Sequence, residues 1–302
     1  MSRLGRWYFA PAPAERLAVL RALIGGYALV YLVGRFLGFV DFSRFPASTF
    51  EPVGPVAILE HPLPTAVLAV LVAVTAILGV AFVVGHRFRV TGPAFAVLYL
   101  WVVSYRNSWG MPFHTENLIV LHVLVLGLSP GAADVWARDA RGRAPPEASG
   151  RYGWPIRLLC LLTVTTYVLA GYAKVAKSGI GWITDDTLRG LVAFDNLRKI
   201  ELGSAHSPVG AWLVSVPWLF TPLAGLSLAL ELFAPVALLS RRLGHIWCVL
   251  AWGFHLGVIV LMAIMFHYQL FFVAYASFFD VEKLGRRVER WWRRRRDPHS
   301  GG

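Results

Sequence analysis

The sequence predicts an all-α protein: a multi-pass transmembrane helical bundle of about eight spans. Three observations carry that reading. Hydrophobic residues make up 57% and charged residues only 15%, with mean hydropathy +0.58, a balance that soluble domains of 302 residues rarely show. Several apolar runs approach or exceed the length needed to span lipid. Alternation at every second residue, the mark of a transmembrane β-barrel, is missing. The net charge of +12 is carried by arginines between the apolar runs and in the tail. That placement suits lipid headgroups and membrane orientation, so lipid is the expected partner and nucleic acid is not. Cys160 and Cys248 lie inside apolar runs and read as small buried residues, without a disulfide framework. The first apolar run begins near Leu17, holds Arg21 and lacks a small-residue cleavage site, so no cleavable signal is expected.

Residues 1–15 form a basic, aromatic and proline-bearing lead-in. The first span covers about 16–40. Arg21 and Arg35 are 14 residues apart, near four helical turns, and so should share one side. Gly34 and Gly38 form a GxxxG, a weak signal for close helix contact. Residues 41–64, with five prolines, two glutamates and one arginine, read as a non-cytoplasmic loop. Span two is about 65–84, and the basic turn His86-Arg87-Phe88-Arg89 leads to span three, near 91–105. Span four, about 113–128, contains His114, Glu116, Asn117 and His122. Residues 131–154, with four arginines among Pro, Gly and Ala, form a solvated loop.

The fifth span lies in 155–182, PIRLLCLLTVTTYVLAGYAKVAKSGIGW, and the chemistry gathers around it. Residues 183–208 read as an amphipathic helix at the outer interface, anchored by Trp182. The segment 209–220 is too short to span alone. Span six is about 222–239, with Glu231 near its middle; span seven, about 243–265, carries His255; span eight is a short aromatic one, about 267–279. The basic tail covers 281–302. Eight spans with both termini inside place the arginine-rich segments in the cytoplasm, as the positive-inside rule requires, and only Arg189, Arg198 and Lys199 dilute the pattern. The expected location is the cell membrane.

Gly127-Leu128-Ser129-Pro130-Gly131 matches GxSxG, but a nucleophile elbow needs a strand–turn–helix setting and this one closes a membrane helix. The nine histidines show no i,i+3 or i,i+4 pairing, so no metal is expected. His122 reads as a packed histidine. His255, mid-span, needs a partner, with Glu231 or a span-one arginine as candidates. It is equally a polar clamp between helices or a functional group. Glu231 with Arg21 or Arg35 reads as a packing pair. RRVERWWRRRR in the tail suits a lipid-facing anchor.

Lys174 and Lys177, one turn apart near the end of span five, stand out because the chain has four lysines against 25 arginines. Lysine, unlike arginine, loses its proton when desolvated, as a base must. A lysine at a helix end also simply snorkels to the headgroups, and position alone leaves both readings open.

Three stretches extend the reading. Tyr167-Val168-Leu169-Ala170-Gly171-Tyr172-Ala173-Lys174-Val175, followed by Trp182, resembles a motif of the HTTM (horizontally transferred transmembrane) domain family, whose best-known member is the vitamin K-dependent gamma-glutamyl carboxylase. SWGMPFHTENL (108–118) resembles that enzyme's Trp-Asn-Asn-His segment and sets His114 against its functional histidine. FHLGVIVLMAIMFHYQLFFVAYA (254–276) resembles the family's Phe-His segment and the aromatic span after it. The motifs occur in order from about 108 to 276.

The resemblance implies Lys174 as the base that deprotonates a reduced quinone of menaquinone or vitamin K type, and His114 as the group that stabilises the following step. Lys177, Asn117, Glu231 and His255 are expected around the substrate or cofactor. A carboxylase-like lyase acting at the outer face, with a secreted peptide as partner, is the implied activity. A non-enzymatic transporter or maturation partner is the alternative. Ala173 stands where the family motif has a lysine, four extra residues separate Lys174 from Trp182, and the Trp–His spacing before His114 is longer by two. Little chain follows the last expected span, so the lumenal propeptide-holding region is expected to be missing. A looser peptide modification, as in compact members similar to a maturation protein of a secreted peptide toxin, is favoured over vertebrate-type glutamate carboxylation.

Overall fold

The computed structural model describes residues 2–110 and 115–296. Helix makes up 76% of the chain, and the described residues contain no strand, only the isolated bridges Ala12–Ser149 and Phe50–Trp109. The all-α class holds. Among the described residues nine α-helices exceed ten residues. They are α1 (Ala14–Gly34), α2 (Thr65–Val84), α3 (Phe88–Arg106), α4 (Asn117–Gly127), α5 (Gly150–Ser178), α6 (Thr187–Glu201), α7 (Phe220–Leu232), α8 (Arg241–Met262) and α9 (Glu282–Arg296). Five of them, α1, α2, α3, α5 and α8, are long and apolar enough to cross a bilayer, matching expected spans one, two, three, five and seven. Residues expected as spans four, six and eight form shorter or interrupted helices. The chain divides into two compact units, residues 1–159 with 279–302, and residues 160–278.

In the first unit α2 shows how sequence sets the packing. It carries no charge, begins after Pro64 and ends where Gly85 turns left-handed at φ 65°. Val67, Val70, Val74, Ile77 and Val80 recur every three or four residues and are exposed, whereas Leu68, Val72, Thr75, Gly79 and Phe82 are buried. An exposed stripe this apolar is at rest only against lipid chains. Thr75 does not break the helix, because its hydroxyl donates to the Leu71 carbonyl at 2.7 Å.

α1 stops at Arg35, and a separate short helix, Phe36–Asp41, follows. The break separates the two arginines expected on one side. Arg21 is 1% exposed and donates to the Ala132 carbonyl at 2.9 Å and the Trp136 carbonyl at 2.8 Å, while Arg35 is exposed and lies over the Tyr31 ring. Arg21 thus fastens the loop after α4 to α1. Arg21→Met is expected to lower stability by roughly 3 kcal/mol, since one buried and one part-buried carbonyl lose a charged donor. A denaturant titration in micelles reads this out, and Arg21→Lys should restore only part.

The GxxxG of Gly34 and Gly38 faces open space. Close contact occurs instead between α3 and α4. A Cβ on Gly92 would lie 2.9 Å from the Gly127 carbonyl oxygen, and one on Gly127 would lie 2.6 Å from that of Gly92. Gly127 opens the GxSxG match, and Ser129 is buried with its hydroxyl donating to Val125 at 2.6 Å. The motif is a helix ending. α4 has 11 residues, roughly 16 Å, which is half of a hydrocarbon layer. Before it, Glu116 is 5% exposed and receives Tyr31, Thr115 at 2.6 Å and Arg106 at 2.8 Å. The tail helix α9 is docked at its start: Arg16 donates twice to Glu282 at 2.8 Å, and Arg286 meets Glu15 at 3.1 Å.

In the second unit the expected amphipathic helix is α6, with Leu191, Phe194, Leu197 and Ile200 exposed. Its polar side closes the end of α8. Asn196 Nδ2 donates to Leu261 at 2.9 Å and Lys199 to Met262, and beyond the end of α6 Ser207 Oγ donates to Val260. These carbonyls have no partner within a helix end. Asn196 Oδ1 in turn accepts the Ser207 amide at 2.7 Å. The cations that dilute the charge pattern are locally engaged: Arg198 and Lys199 with Asp195, and Arg189 with Asp186 and the Val214 carbonyl. Expected span six breaks after α7, where Ala234–Leu238 is a 3-10 turn containing Pro235. Expected span eight breaks at Phe272, φ 64°, between His267–Leu270 and the 3-10 segment Val273–Phe278.

Candidate functional site

The site is built on one face of α5. Tyr167, Gly171 and Lys174 follow at i, i+4 and i+7, so all three point the same way. Gly171 admits α7: a Cβ there would lie 3.0 Å from Glu231 Cβ and 2.9 Å from Leu232. Glu231 is placed beside Lys174, whose ammonium donates to its Oε1. The Glu231 side chain is 4% exposed and that of Lys174 is 20% exposed.

Two aromatic rings flank the ammonium, Trp182 at 5.0 Å and Phe254 at 5.8 Å from their centroids. Each adds cation–π attraction where water is scarce. Trp182, expected as an interfacial anchor, is instead 8% exposed and packs on Ala224 and Leu228. Glu231 is the partner of Lys174 rather than of Arg21 or Arg35. Its second oxygen, Oε2, and the Trp182 Nε1–H are buried and have no hydrogen-bond partner among the described residues. One free acceptor and one free donor therefore border the same ammonium.

Two helical turns before Lys174, the Tyr167 hydroxyl sits 2.7 Å from His255 Nε2 and 2.6 Å from the Tyr275 hydroxyl. All three side chains are buried. The sequence expectation that Glu231 or a span-one arginine partners His255 is corrected: Tyr167 does. Tyr167 has one proton to give, so it donates to one neighbour and accepts from the other. The chain runs in either of two directions, and both leave His255 Nδ1 without a partner among the described residues. Such a three-member chain can shift a proton without moving a heavy atom. His255 is wedged between Phe254 and Phe266, with centroids 5.1 and 4.8 Å away.

Of the residues singled out from sequence, Lys174, Glu231 and His255 are thus in one neighbourhood. Lys177 is exposed, with no ion-pair partner among the described residues. Asn117 is exposed at the first residue of α4, in the other unit. His114 lies outside the described residues. Trp182, Phe254, Tyr167 and Tyr275 were not foreseen as site residues, although the i, i+4, i+7 spacing up to Lys174 was a readable signal. No group of three His, Cys, Asp or Glu residues able to hold a metal occurs among the described residues.

The HTTM domain matches residues 9–282, nearly the whole chain. The chain belongs to the HTTM domain family. No curated protein and no solved structure matches it. The family match and the five long apolar helices agree on a multi-pass HTTM membrane protein. Both the Lys174 ion pair and the Tyr167–His255 contact fall within the matched HTTM residues.

Proposed function

We propose that this HTTM protein is a cell-membrane enzyme that moves a proton at the Lys174–Glu231 pair and modifies a peptide or small substrate at the outer face, with a reduced quinone as cofactor. The observation that carries it is the half-used pair: a buried carboxylate oxygen and an indole N–H stand unpartnered beside an ammonium. A reduced quinone, when bound, supplies an oxygen-reactive aromatic diol. The residues present fit such a group. Glu231 Oε2 would accept a hydrogen bond from a hydroxyl, Trp182 Nε1 would donate one to an oxygen, and the Trp182 and Phe254 faces suit a planar ring.

The proton balance within the pair is simple. Transfer from Lys174 to Glu231 leaves a neutral amine beside a carboxylic acid, and the amine then takes a proton from an acidic O–H. By family resemblance His114 is the group that stabilises the following step. Cytoplasmic placement of the arginine-rich segments sets the outer face as the working side.

A non-enzymatic membrane component is the second reading. It draws on the same ion pair, which also serves as a clamp between α5 and α7. Quinone retention separates the two. The purified protein is expected to carry quinone detectable by mass spectrometry. Trp182→Phe, which keeps an aromatic face but removes the N–H, should lower its retention about tenfold, at a cost of about 1 kcal/mol in stability from the smaller ring. Wild-type protein that neither co-purifies with quinone nor binds added menaquinol sinks the enzymatic reading.

A further inference from the structure

Far from this chemistry in sequence, the first unit holds a cleft of about 690 Å³. Its walls include Val84, Val135 and Trp136, with Arg138, Arg141, Arg143 and Arg286 around them. Arg286 is committed to Glu15 at 3.1 Å. Arg138, Arg141 and Arg143 are exposed, and none has an ion-pair or hydrogen-bond partner for its guanidinium among the described residues. The three sit on one short segment that turns at Gly142, φ 76°, a left-handed conformation that suits glycine. Against these four arginines the cleft wall sets two glutamates, Glu15 and Glu289, leaving a surplus of two positive charges (4 − 2).

Depth narrows the ligand. Val84 is the last residue of α2, the most apolar of the five long helices, so the cleft opens where hydrocarbon gives way to headgroups. Trp136, 36% exposed, is the residue type that settles at that boundary. Guanidinium forks match phosphate oxygens, and the volume far exceeds that of a bare phosphate ion. We propose that the cleft binds the phosphate headgroup of an anionic phospholipid, with Arg138, Arg141 and Arg143 on the phosphate and Val84 and Trp136 against the glycerol and upper acyl carbons. The site is independent of the Lys174 pair.

The test uses the full chain in nanodiscs of phosphatidylcholine containing graded phosphatidylglycerol. Thermal melting and native mass spectrometry of retained lipid are the readouts. Wild-type protein is expected to hold phosphatidylglycerol through delipidation and to melt higher as its fraction rises. The triple variant Arg138→Gln/Arg141→Gln/Arg143→Gln should bind at least about tenfold more weakly. The control Arg287→Gln/Arg290→Gln, which removes equally basic residues of α9 outside the cleft, should bind as wild type. A control that loses as much as the triple variant overturns the site in favour of general surface charge. Inorganic phosphate that alone reproduces the melting shift overturns the lipid assignment in favour of a soluble anion. A triple variant that is folded and binds unchanged overturns the proposal outright.

Discussion

Lys174→Met is expected to abolish turnover and to destabilise the HTTM protein by about 3–5 kcal/mol. The cost comes from Glu231, 4% exposed, which would be left without its counter-charge. Glu231→Gln should cost less, because Lys174 keeps partial water access and the faces of Trp182 and Phe254. The double variant Lys174→Met/Glu231→Leu separates structure from chemistry. Exchanging a whole buried pair for apolar residues is near neutral or favourable, so most of the stability should return. Activity should not. Unfolding in mixed micelles and turnover with added menaquinol provide the two measurements. A folded double variant with full turnover would remove the pair from the mechanism.

Gly127→Val should be strongly damaging. An added Cβ meets the Gly92 carbonyl at 2.6 Å and Ala96 Cβ at 2.7 Å, and neither a backbone oxygen nor a helix-borne methyl can swing away. α3 and α4 would have to separate, with an expected loss of about 3 kcal/mol or more. Gly34→Ala is a control at an open position. It faces open space, so its effect should stay within about 0.5 kcal/mol. If both variants unfold alike, the close approach of α3 and α4 is not what limits stability.

The fold was legible wherever hydropathy was uniform. Span 65–84 coincides with α2 because an unbroken apolar run is bounded by Pro64 and Gly85, both readable as punctuation. The expected spans around Pro235 and Phe272 differ because hydropathy reports composition and not backbone geometry: proline turns one into a 3-10 segment and a left-handed phenylalanine interrupts the other. The two glycine signals diverge for a related reason. GxxxG describes spacing along one helix, whereas the contact that exists pairs Gly92 with Gly127 across two.

At the site, the type and place of Lys174 were readable because lysine is rare here and ends an apolar helix. Its bond to Glu231 was not, since 57 positions separate them and their helices meet through the close approach at Gly171. Trp182 illustrates the same limit. A tryptophan near a helix end suggests an interface, yet its ring covers an ammonium instead.

The closure of α8 by side chains of another helix has a kinetic corollary. Should α6 peel away, Leu261 and Met262 lose the Asn196 and Lys199 donors directly, and the Ser207 turn held by Asn196 Oδ1 takes the donor of Val260 with it. Residues 196–210 and 259–263 therefore melt as one unit, and their amides should exchange with deuterium at a common rate.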